Sequence, residues 1–68
     1  MNTEALLIQT VEQLERMNEA IGILQRDLLP SQPRKFAILA EGPLEEIRRL
    51  QAEIDRLVAT LAAAPTGS

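Results

Sequence analysis

A chain of 68 residues makes one small domain, and at that length folding buries only about 60% of the surface the unfolded chain exposes. It contains no Cys, His, Trp or Tyr and a single Phe. Disulfides, thiolate metal sites, imidazole bases and aromatic stacking platforms are therefore excluded. The formal charge of -3 argues against non-specific phosphate binding and against docking on anionic lipid, both of which need a basic surface.

A hydrophobic share of 46% beside 25% charged residues is that of a folded soluble chain. Small cores of this size are commonly completed by a disulfide, a metal or a partner, and with the first excluded and no obvious second, oligomerisation is the expectation. Met1-Asn2-Thr3-Glu4 lacks the basic region that opens a secretory signal, and no apolar run approaches the roughly 18 residues of a membrane span. Together with the lack of Cys, this predicts a cytoplasmic protein.

The first predicted element is a helix over residues 3–29. It contains no proline and one glycine, Gly22, and is rich in Leu, Glu, Gln and Arg, all good helix formers. Asn2 or Thr3 can cap it, and Glu4 in the first turn suits the helix dipole. Pro30 and Pro33 end it.

Residues 30–42 are predicted to be a connector. Within it, Arg34 to Glu41 reads R-K-F-A-I-L-A-E. The alternation of Phe36, Ile38 and Ala40 also fits a strand, but a lone strand has no partner in a helical chain. A short helix is expected instead, capped by Ser31 or Gln32 with Pro33 in its first turn, dropping Phe36 and Leu39 onto the core.

Gly42-Pro43 is expected to open a second long helix over residues 43–63, because proline at the first helical position followed by Leu44-Glu45-Glu46 is a strong start signal. The helix is expected to end by Pro65, leaving residues 65–68 as a linker or tail. The single domain is thus residues 1–64.

On the first helix Leu7, Leu14, Ile21 and Leu28 recur every seven residues, flanked by Val11, Met17 and Leu24. On the second, Ile47, Leu50, Ile54, Leu57 and Leu61 alternate three and four apart. Both are core stripes with coiled-coil spacing. Two long helices with one stripe each predict an all-α fold, an antiparallel helical hairpin.

Leu6, Ile8, Ile23, Leu29 and Val58 widen these stripes beyond what two helices can cover. Pairing two hairpins into a four-helix bundle would bury them. In helix lengths and patterning the whole chain resembles the dimeric helical hairpins of the Rop type. No residue-level motif accompanies that likeness, and the acidic balance speaks against a nucleic-acid partner.

Asn18 falls at an a position between Leu14 and Ile21, where a buried amide can fix register. The competing reading, favoured here, is that the 3.6-residue period turns Met17 to the core and leaves Asn18 at its margin; Gln25 repeats the ambiguity. Glu12, Glu15 and Glu19, and Glu41, Glu45 and Glu46, have the spacing of cation ligands. However, bases alternate with them (Glu12 with Arg16, Glu45 with Arg49, Glu53 with Arg56), and such spacing describes a solvated face. Arg34-Lys35 and Arg48-Arg49, the only basic pairs, are read the same way. Ser31 and Thr10 have no base to activate them, and no glycine-rich phosphate loop is present.

No catalytic, metal or cofactor residue is therefore predicted. The sequence predicts a non-catalytic interaction module that associates with itself, as a homodimer or higher even oligomer, and serves as an oligomerisation or adaptor domain. The alternative is a small antitoxin-like regulator that masks a partner by laying a helix in its groove. Ile23, Phe36 and Leu39 are candidate partner contacts or anchors, with Phe36 expected to be buried.

Overall fold

The computed structural model describes residues 2–63. Two helices account for nearly all of them, α1 over Thr3–Leu28 and α2 over Pro33–Ala63, with no strand among the described residues.

Asn2 caps α1. Its Oδ1 accepts hydrogen bonds from the backbone amides of Glu4 at 2.9 Å and Ala5 at 3.3 Å, satisfying two of the donors that a helix start leaves free. At the other end the chain reverses within Leu29–Gln32. The Leu29 amide donates to the Gln25 carbonyl at 3.1 Å and the Gln32 amide to the Leu28 carbonyl at 2.6 Å, so terminal carbonyls of α1 are occupied by the turn itself. Gln32 in turn accepts from the Phe36 amide at 3.0 Å. Pro33 follows it as the first residue of α2, where a missing N–H costs nothing.

The expected break at Gly42-Pro43 does not occur. The connector is Leu29–Gln32 rather than residues 30–42, and α2 runs through with Pro43 inside it. The expected short helix and second long helix are one element of 31 residues. An internal proline deprives the carbonyl four residues earlier of its donor and crowds it. Here that residue is Leu39, which is 46% exposed, so water has access to the same turn. Gly42 carries no Cβ to meet the proline ring, which relieves part of the pre-proline restriction. The helix end expected by Pro65, and the tail expected over residues 65–68, lie outside the described residues.

Laid end to end, helices of 26 and 31 residues would reach about 85 Å at 1.5 Å per residue. The molecule measures 56 × 17 × 14 Å. The helices therefore fold back on each other as an antiparallel hairpin. The radius of gyration is 16.0 Å, where a compact domain of this length would have about 11 Å. A two-helix layer of this shape has a seam but little interior.

Candidate interaction surface

The seam runs through most of the buried and half-buried positions, with Leu6, Ala20, Gly22, Glu46 and Glu53 half-buried beside it. On α1, Thr3, Leu7, Thr10, Leu14, Met17, Ile21, Leu24 and Leu28 are buried or half-buried. On α2, Phe36, Ala40, Pro43, Ile47, Leu50, Ile54, Leu57 and Leu61 are the same. Both sets alternate strictly four and three apart, the spacing that keeps one stripe of each helix against the other. Across a short turn, residues equidistant from the connector come level, which sets Thr10 at the height of Leu50 and Leu14 at that of Ile47.

Ala40, Leu50 and Leu57 are the buried apolar residues among those described, the last at 3% exposure. Of the residues expected in the core, Leu7, Leu14, Ile21, Leu24, Leu28, Ile47, Ile54 and Leu61 are half-buried, and Val11 is exposed. Its expected place on the seam belongs to Thr10, which is 5% exposed. The Thr10 hydroxyl donates to the Leu6 carbonyl at 2.7 Å, so the group is buried without an orphaned donor. The 3–4 spacing between Leu7 and Leu14 was the available signal for it, hidden by a polar residue type. Met17 is half-buried while Asn18 and Gln25 are exposed, so neither amide lies in the hairpin seam.

Phe36 is half-buried, whereas Leu39, expected beside it on the core, is exposed, as is Ile23. The seam spacing runs from Phe36 to Ala40 to Pro43 and passes Leu39 by. Ile38 is the most exposed large apolar side chain among the described residues, at 66%. With Leu39, Pro33, Arg34 and Lys35 it lines an open hollow beside the connector.

The charged side chains lie outside the seam. Arg49 pairs with Glu46 at 2.5 Å, not with Glu45 as the sequence spacing led one to expect, and Arg56 pairs with Glu53. The Glu46 hydrogen bond, reinforced by its charge, raises the Arg49 guanidinium above its ordinary pKa. Both pairs span three residues on one exposed helix face, where such contacts add only tenths of a kcal/mol. Glu12 and Arg16 form no ion pair in the structure. Glu12, Glu15 and Glu19 are all exposed, and among the described residues no three acidic side chains converge as metal ligands would. No helix of the described residues is long and apolar enough to cross a membrane.

Equivalent positions of an antiparallel pair share a face, because the two-fold axis relating the helices stands perpendicular to their common plane. The hairpin therefore has two distinct flanks. The first holds Val11, Asn18 and Gln25 of α1 with Ala37, Leu44, Gln51 and Val58 of α2, and its only charge next to the seam is Glu4. The second holds Leu6, Gln13, Ala20 and Asp27 with Leu39, Glu46, Glu53 and Thr60, and both ion pairs border it. Comparison with protein-family models, with curated proteins and with solved structures returned no match.

Proposed function

We propose that this chain is a non-catalytic protein–protein interaction module that associates with itself, two hairpins forming a four-helix bundle that acts as an oligomerisation or adaptor domain. One observation carries the reading. Among the described residues eight large apolar side chains, from Ile8 to Val58, remain exposed while three apolar residues are buried. Exposed apolar residues are ordinary one at a time, but a seam this thin gives little stability by itself. A second copy would bury the surplus and supply the missing core. The test is circular dichroism over a concentration series. Helicity that falls on dilution is expected, whereas full helicity at every concentration in a monomeric sample overturns the reading.

The alternative, a regulator that masks a partner protein by helix-in-groove binding, draws support from the connector end. Ile38 and Leu39 stand exposed there beside Arg34 and Lys35. A helix that folds fully only in the presence of its target would favour it.

A further inference from the structure

We infer that the second copy docks on the flank marked by Val11, Leu44 and Val58, with the two connectors at opposite ends of the bundle. The inference rests on the self-association proposed above and adds which face is used and in which direction.

Two arguments select the flank. Its exposed apolar residues, Val11, Leu44 and Val58 at 37–48% exposure, are interleaved with the uncharged amides Asn18, Gln25 and Gln51. Ile8 and Leu29 extend it at its outer edge. Next to the seam it carries one charge, Glu4, and the exposed Glu15, Glu41, Arg48 and Asp55 stand at the same outer edge, where they can keep their water. The opposite flank carries Glu46 and Glu53 with their arginine partners, and Asp27 besides. Docking two copies there would desolvate those pairs, a penalty that mutual attraction seldom recovers. The area is adequate. Helices of 31 residues reach about 46 Å, and a pair 17 Å across presents roughly 800 Å² per copy, the size of a standard stable interface.

Charge selects the direction. The connector end, residues 24–38, carries Arg26, Arg34 and Lys35 against Asp27 alone. The open end, residues 3–15 and 46–63, carries Glu4, Glu12, Glu15, Glu46, Glu53 and Asp55 against Arg48, Arg49 and Arg56. Hairpins aligned in the same direction would bring two basic ends together, whereas reversed hairpins set each basic end beside an acidic one.

The test compares flank variants and measures one distance. Leu44→Glu on the docking flank is expected to weaken dimerisation roughly tenfold or more, the effect of more than about 1.4 kcal/mol, while Leu39→Glu on the other flank leaves it nearly unchanged. Sedimentation equilibrium reads both, and helicity is recorded alongside. Helicity that Leu44→Glu loses and a higher protein concentration restores counts as weakened docking. If it is lost at every concentration, the milder Leu44→Gln decides by its shift in dimer dissociation. The direction is read from a spin label at Ser31→Cys, single because the chain has no other Cys. Label-to-label distances of about 40 Å or more, a helix length, are expected. A dimer broken by Leu39→Glu and spared by Leu44→Glu overturns the flank, and label distances below about 20 Å overturn the direction; either leaves self-association standing. An unmodified chain that is monomeric refutes both proposals.

Discussion

Thr10 donates its hydroxyl to the carbonyl of Leu6, 2.7 Å away on its own helix, and by doing so takes a polar side chain into the seam without needing a partner on α2. The Leu6 carbonyl already accepts the Thr10 amide as part of the helix, so the hydroxyl adds a second, dispensable bond. Thr10→Val keeps the shape and removes the polarity, and its stability in urea is expected to stay within about 1 kcal/mol of the unmodified chain. Thr10→Asp, which buries a charge at the same place, is expected to unfold the hairpin.

Leu57, at 3% exposure, is the better measure of the apolar seam. Leu57→Ala removes its transfer energy and leaves a gap that two helices cannot close, a loss on the order of 2–5 kcal/mol. Ile54→Ala, half-buried in the same stripe, is expected to cost less within that range. Denaturant midpoints at fixed protein concentration check the order, and equal losses would show that the seam is not what grades these positions.

Pro43 separates one long helix from two. If it sits inside α2, as the structure has it, Pro43→Ala restores a donor to the Leu39 carbonyl and raises both helicity and stability, by up to about 3 kcal/mol. If it opened a separate helix, the same change would be neutral or slightly harmful. Gly22 supplies the control, since a Cβ built there meets nothing within 4 Å. Gly22→Ala is expected to add up to about 1 kcal/mol, while Gly42→Ala gains less, because alanine before a proline resists helical geometry.

Glu12, Glu15 and Glu19 are exposed and spread along one helix. Millimolar Mg²⁺ or Ca²⁺ is expected to leave the melting temperature nearly unchanged, because an ion that does not prefer the folded form cannot stabilise it. A saturable rise in a thermal scan would reveal a carboxylate site that the single hairpin does not assemble.

Much of this architecture was legible in the sequence, and the misreadings share a cause. Leu7, Leu14, Ile21 and Leu28, and then Ile47 through Leu61, announce two helices and their facing stripes by apolar spacing alone. Gly42-Pro43 carries the strongest local start signal in the chain, yet Phe36, Ala40, Pro43 and Ile47 keep the four–three spacing across it. A continuous stripe against α1 outweighs the local cost of one proline. Thr10 was hidden for a related reason, because a polar residue type says nothing of a hydroxyl that bonds back to its own helix. The ion-pair choice of Arg49, Glu46 over Glu45, turns on which of two allowed spacings the side chains adopt, and spacing alone offers both. Which outward flank is apolar enough to be covered becomes visible only once the helices are known to run antiparallel, since that places Val11 and Leu44 on one face.

The central claim is that the hairpin completes its core with a second copy of itself. Sedimentation equilibrium over about 1–100 µM, with helicity read on the same samples, tests it directly because dimer stability depends on protomer concentration. The account predicts a mass near 15 kDa, twice the 7.5 kDa chain, with dissociation and loss of helix occurring together on dilution. A mass of 7.5 kDa with undiminished helicity across that range would contradict it.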